Sequence, residues 1–252
     1  MKKYIITRLG LDFPQKNKNN NKLIHENNNS HYMDNVINIL LNFTYMCVKN
    51  QTCEDKHWIF FTGRRFNDDF KNIIENTIVD IPIQFLKDTE YCDIKKPWEN
   101  DEDKILFRLD ADDYMHPILL EEIEKELLKS YNGNNIVICN PIYGYKLYDD
   151  FTLNYCEYEK IALGMGVISN KKDISILHDH TKLKQIYEKK YDNSIQILEK
   201  KLMGPERLYV YNRHNISHSF NIDKKEKTFY DEEILKEFGI TKTQYFQNFK
   251  RQ

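Results

Sequence analysis

Short apolar runs alternate with amphipathic stretches over roughly the first 140 residues of the chain. Residues 3–7 read as a buried strand closed by Arg8-Leu9-Gly10. Tyr32, Val36, Ile39, Leu40, Phe43, Met46 and Cys47 recur at helical spacing and predict an amphipathic helix whose apolar stripe belongs to the core. Trp58-Ile59-Phe60-Phe61 predicts a second strand, and Phe66, Phe70, Ile73 and Ile74 a second helix. Residues 78–86 predict a third strand, which Pro82 places at a sheet edge because proline cannot donate to a ladder. Residues 104–109 predict a fourth strand running straight into Asp110. Pro117 suits the first turn of the next helix, whose buried face comprises Ile118, Leu119, Ile123, Leu127 and Leu128, with Gly133 beyond its end. Residues 135–139 form another strand. This alternation implies an α/β fold, with a mostly parallel central sheet flanked by helices.

The pattern changes after residue 140. Residues 143–148 and 151–157 predict two strands around Asp149-Asp150, and residues 161–169 a further one. Within it, Gly164 and Gly166 allow close backbone approach, either to a bound sugar or in a plain turn. Helical patches are expected at 183–190 and 194–202, a short strand at 208–211, and one or two helices over 231–250. The Asn- and Lys-rich stretch 15–30 has too little apolar content to pack and reads as a long loop. With no internal repeat and no clean linker, residues 1–252 read as a single domain with a C-terminal elaboration.

Composition narrows the function classes. Among the 252 residues, 37 basic side chains face 39 acidic ones, a net charge of -2 that argues against a nucleic-acid binder of the electrostatic kind. Five cysteines, an odd number without CxxC spacing, fit neither a disulfide framework nor a zinc ribbon, so reduced thiols in a cytoplasmic compartment are expected. No apolar stretch approaches the ~20 residues of a membrane helix, and the run after Met1-Lys2-Lys3 is too short for a signal peptide; a soluble protein is expected.

The strongest chemical signal is Arg108-Leu109-Asp110-Ala111-Asp112-Asp113. A strand ending in Asp-x-Asp sets two carboxylates at the carboxyl edge of a sheet, where open α/β sheets bind ligands. Clustered carboxylates repel one another unless a cation or donors compensate. Hard oxygen ligands of this kind suit Mn2+ or Mg2+, which also take phosphate oxygens. The bland alternative is a helix start, with Asp112 or Asp113 capping the helix that contains Pro117. Arg64-Arg65, after the second strand, is a phosphate or nucleobase candidate or simply a solvated pair. No Walker loop, GxGxxG or nucleophile elbow is present.

Three stretches carry a resemblance: Ile6-Thr7-Arg8; Arg108 through Asp113 with His116 following; and Tyr209-Val210-Tyr211-Asn212-Arg213-His214-Asn215-Ile216-Ser217. Together they resemble a family of rhamnosyltransferases, which are glycosyltransferases of the GT-A type and include viral members. The resemblance spans roughly residues 3–220. It implies a GT-A-type, Rossmann-like fold with a nucleotide-binding part over about 1–140 and an acceptor part over about 141–252. It implies a nucleoside-diphosphate sugar as donor, with UDP or dTDP favoured, a glycan or other hydroxyl acceptor, and the host cytoplasm for a viral member. Residue by residue, Asp112 ligates the metal and Asp110 contacts the ribose, or the metal through water. Thr7 and Arg8 lie beside the nucleotide. His214 and His180 are candidate metal ligands, and Arg213 a candidate for diphosphate neutralisation.

An inverting transfer also needs a carboxylate base near the acceptor hydroxyl. Asp149, Asp150, Glu157 and Asp179 are candidates, with Asp179 taken as the catalytic one beside Asp110 and Asp112. Two competitors remain. A haloacid-dehalogenase-like phosphohydrolase also uses strand-then-Asp-x-Asp, but after its first strand and with a different residue beyond the second Asp. A non-catalytic metal- or sugar-binding module would need an oxygen-ligand loop, and the spacing here is not that of an EF-hand.

Overall fold

A computed structural model describes residues 1–9, 30–63, 66–87, 96–148, 150–192, 194–204, 207–213 and 227–241, with backbone only at 30–32 and 212–213. A seven-stranded sheet forms the centre. Its strands are β1 (Lys2–Leu9), β2 (Lys56–Thr62), β3 (Ile83–Lys87), β4 (Lys104–Arg108), β6 (Ile136–Pro141), β9 (Gly166–Ser169) and β10 (Ile197–Leu202), in the order β10-β6-β9-β4-β1-β2-β3. All neighbours run parallel except β9, which is antiparallel to both β4 and β6. The mostly parallel, helix-flanked sheet expected from the sequence is therefore the one observed. Pro82 precedes the edge strand β3, and its carbonyl accepts from Trp58 N–H.

A second sheet of four strands, β5 (Tyr114–Met115), β7 (Tyr143–Tyr148), β8 (Leu153–Glu157) and β11 (Tyr209–Arg213), runs in the order β5-β11-β7-β8. Because β5 begins directly after Asp113 and β7 directly after β6, this sheet grows out of the carboxyl edge of the first.

Strand alternation sorts the core into two layers. Ile5, Leu9, Phe60, Phe107 and Cys139 point to one face, where they meet Leu120, Ile123 and Leu127 of helix α4 (Leu119–Ser130). Tyr4, Ile6, Leu106, Ile138 and Val167 point to the other, against Leu183 and Tyr187 of α5 (Leu183–Lys190). The first helical stretch comprises α1 (Ser30–Ile39), a π-turn (Leu40–Thr44) and α2 (Tyr45–Lys49). It packs partly on the sheet and partly, through Ile39, Phe43 and Cys47, on the second sheet and on α6 (Glu232–Glu237). Helix α3 (Asp68–Thr77) starts where Asn67 accepts from Phe70 N–H and Asp68-Asp69 meet the positive end of its dipole.

Several expectations change. Residues 194–202 are expected from the sequence to be helical. They contain β10 instead, because pairing with β6 outweighs a weak local preference. Residues 161–169 yield a strand only from Gly166 onward. Met46 is exposed rather than part of the apolar stripe, and Leu128 is exposed rather than part of the buried face of α4. Of the predicted tail helices, α6 is described, capped by Asp231; residues 242–252 lie outside the described residues.

Gly164 and Gly166 serve packing. A Cβ on Gly164 would meet Leu119, and one on Gly166 would clash with Ile123 Cγ2 and lie 3.1 Å from Leu127 Cδ1. Gly166→Ala is therefore expected to destabilise the fold by about 1–3 kcal/mol through overpacking, read by chemical denaturation. A neutral result would mean that α4 is free to move away from the sheet. Among the described residues, no helix is long and apolar enough to cross a membrane.

Candidate functional site

Register builds the site. Strands β1 and β4 pair with Ile6 opposite Arg108, and Leu109 N–H donates to Ile6 O at 3.0 Å. Two residues further along each chain, Arg8 arrives beside Asp110. Arg8 Nη2 donates to Asp110 Oδ1 at 3.4 Å, and Arg108 Nε lies 3.8 Å from the same oxygen. Arg108 is only 4% exposed, while the Asp110 side chain is 31% exposed at the mouth of this cluster. Partial desolvation works to raise the Asp110 pKa, but the guanidinium groups of Arg108 and Arg8 outweigh it and hold the carboxyl below its ordinary range.

The opposite wall comes from residues 177–182. His178 O accepts from Arg108 Nη1 at 3.1 Å, which ties this segment to the central strand. His180 then lies close enough to feel Arg108, Asp110 and Arg8. Burial, and after it Arg108, push its imidazole below its ordinary value, so it is neutral at pH 7. Asp179 is exposed and caps its own turn, accepting from Thr181 N–H at 3.0 Å and Thr181 Oγ1 at 2.7 Å. Acting as a base would require it to give up those bonds. Asp150 is engaged in the same way by Thr152.

The helix-start alternative for the acidic turn is not what the fold shows. Strand β5 intervenes, α4 begins at Leu119, and its Leu120 N–H donates to Gln51 Oε1 at 3.1 Å. Asp112 and Asp113 do not cap it. The turn is held from below instead by a side chain the sequence reading passed over: Thr44 Oγ1 donates to Ala111 O at 2.7 Å and lies 3.5 Å from Asp113 O. A hydroxyl within an otherwise apolar helical stripe was the available signal.

The remaining candidates divide. Thr7 is fully buried, with its hydroxyl accepting from Trp58 Nε1 at 2.9 Å, so its backbone reaches the sheet edge and its side chain the core. Arg213 ends β11; its side chain, like Arg64, Arg65, Asp149 and His214, lies outside the described residues. The structure thus brings together Arg8, Arg108, Asp110 and His180, with Asp112 in the same turn.

Among the described residues, no three His, Cys, Asp or Glu side chains converge as a metal cage. The ions in question need less: Mg2+ is usually bound through one or two carboxylates, the substrate's phosphates and water. Asp112, partly exposed two residues beyond Asp110 at the sheet's carboxyl edge, meets that requirement.

No family model matches the chain, and no curated protein matches it. Solved structures do. The 4-diphosphocytidyl-2C-methyl-D-erythritol synthase of Anaerococcus prevotii is 13% identical, with a TM-score of 0.37 over 79% of this chain and 86% of its own. HddC from Yersinia pseudotuberculosis is 13% identical, with a TM-score of 0.35 over 79% of this chain and 91% of its own. At this level the likeness says nothing of chemistry.

Proposed function

We propose that the chain is a metal-dependent glycosyltransferase of the GT-A type, moving a sugar from a nucleoside-diphosphate donor to a glycan or other hydroxyl acceptor. Rhamnose is the candidate sugar, and UDP or dTDP the favoured nucleotide carrier. The observation that carries this reading is the convergence of Arg8 and Arg108 on Asp110 at the carboxyl end of the central strand, in the turn that also bears Asp112. Open α/β sheets bind their ligands at that edge.

Asp112 would hold Mn2+ or Mg2+, with Asp110 beside it; when bound, the ion offsets charge on the leaving nucleoside diphosphate. Arg8 and Arg108 keep Asp110 ionised and oriented toward the ribose or the metal's water shell. His180, neutral and on the facing wall, is suited to accept a proton or to complete the ion's ligands. The phosphohydrolase alternative needs its aspartates on the first strand, whereas here they follow β4.

A thermal-shift series of UDP-, dTDP-, GDP- and CMP-sugars, with and without manganese, tests the reading. A uridine or deoxythymidine sugar at about 100 times its Kd adds about 2.7 kcal/mol, which for a chain of this size is a rise of about 5–10 °C. The shift should require manganese and exceed that given by adenosine triphosphate. An equal or larger response to adenosine triphosphate would overturn it.

A further inference from the structure

We infer that Thr44 is a positioning residue for the acidic turn, and that the π-turn is the device that delivers it. The inference rests on the glycosyltransferase reading for its functional meaning, but the contact itself does not.

The helical stretch serves two cores. Met33, Ile37, Leu40, Tyr45 and Val48 face the main sheet, while Ile39, Phe43 and Cys47 face the second one. Along the first stripe the steps are four, three, five and three residues. The five-residue step falls on the π-turn, where Tyr45 N–H donates to Leu40 O, five residues back. In an uninterrupted α-helix the position after Leu40 in that stripe is residue 44. The extra residue moves Tyr45 into the stripe and leaves Thr44 between the two cores, fully buried, beneath residues 111–113. π-Turns are rare and gather at functional sites.

The two carbonyls that Thr44 approaches, Ala111 O at 2.7 Å and Asp113 O at 3.5 Å, flank Asp112 on either side. A hydroxyl has one proton to donate, so Ala111 O is the principal acceptor and Asp113 O the weaker one. The peptide group that precedes Asp112 is thereby tied to the helix, and the one that follows Asp113 more weakly, so the backbone carrying the Asp112 side chain is restrained from both ends. Just beyond the end of that stretch, Gln51 secures the far end of the segment, its Nε2 donating to His116 O at 2.8 Å. Nothing in this arrangement requires Thr44 to touch a ligand; it acts through Asp112.

Thr44→Val keeps the shape and removes the hydroxyl, whereas Thr44→Ser keeps the hydroxyl. Two measurements on the full chain read the result: amide hydrogen exchange across residues 110–114 of the free protein, and manganese-dependent affinity for UDP by calorimetry. In the valine variant, exchange in the turn should rise about tenfold or more and affinity for UDP with manganese fall about tenfold, with β1 and β2 exchanging as in the wild type. The serine variant should lie within about twofold of the wild type in both. Should the valine variant not fold, Thr44→Ala takes its place; failure of both to fold would make Thr44 structural and overturn the inference. A valine variant indistinguishable from the wild type, or a serine variant as impaired as the valine one, would also overturn it. If the wild type shows no manganese-dependent nucleotide binding, the glycosyltransferase reading fails by itself, and the exchange rates still decide whether Thr44 holds the turn.

Discussion

Asp112→Asn is expected to lower sugar transfer by about 100- to 1,000-fold, the usual effect of removing one preorganised electrostatic partner of the developing charge. An amide is a far poorer ligand for a hard cation than a carboxylate, so manganese-dependent nucleotide binding should weaken in parallel. The fold should persist, because Asp112 is partly exposed in a turn at the sheet's edge. Turnover and melting temperature measured on one preparation separate the outcomes. Wild-type turnover in a folded variant would remove Asp112 from the metal site. A large loss of stability would mean that its carboxylate serves the turn rather than the ion.

Arg108→Met is expected to cost both stability and activity. The side chain is almost wholly buried, and its loss removes a hydrogen bond to His178 O and the buried positive charge on β4 that faces Asp110. Breaking a buried charge pair typically costs about 3–5 kcal/mol. Here about 2–3 kcal/mol is expected, since Arg8 still faces Asp110 and the carboxylate is partly screened by solvent. The pH dependence carries a sign. In the wild type the folded-state pKa of Asp110 is depressed, so its ionisation stabilises the fold above the unfolded value and that contribution is lost as pH falls through the folded one. With Arg108 gone, desolvation is opposed chiefly by Arg8 and the pKa rises. The stability gap between wild type and variant should then narrow from about pH 5 to about pH 3. Chemical denaturation across that range checks it, and a gap that does not change with pH would detach Arg108 from the charge state of Asp110.

Much of the sheet was legible because its inner parallel strands are buried on both faces and read as apolar runs. Trp58 to Phe61 and Ile105 to Leu109 are clear instances. The position of Asp110 followed from the same feature, since an apolar strand that stops at a carboxylate has reached the sheet's edge. Alternation alone did not say which side of β1 leads to the site. Arg8 lies on the same side as Tyr4 and Ile6 and reaches the site, whereas Thr7 lies with Ile5 and Leu9 and meets Trp58 in the core. The nearness of His180 to Asp110 depends on a segment that returns to Arg108 from 70 positions along the chain, and no local pattern announces such a contact. Strand β10 was misread because Ile195, Leu198 and Leu202 also fit helical spacing, and only the open edge of β6 selects the extended form. The displacement of Thr44 depends on one extra residue in a helix, an effect that spacing averaged over several turns conceals.

The reversed strand β9 bears on how the protein is made. It fills the space between β4 and β6 and hydrogen-bonds to both, yet it begins at Gly166, well after β6 has ended at Pro141. A chain emerging from the ribosome therefore completes β4 and β6 before the strand that joins them exists. Until β9 arrives, β4 has an open edge and β6 has no link to the rest of the sheet, and unpaired edges of this kind invite association with other chains. A fragment ending at residue 141 should accordingly be insoluble or depend on chaperones, although it contains Arg8, Arg108, Asp110 and Asp112. The central sheet is complete only after translation is well into the second half of the chain, so a premature stop leaves it unfinished.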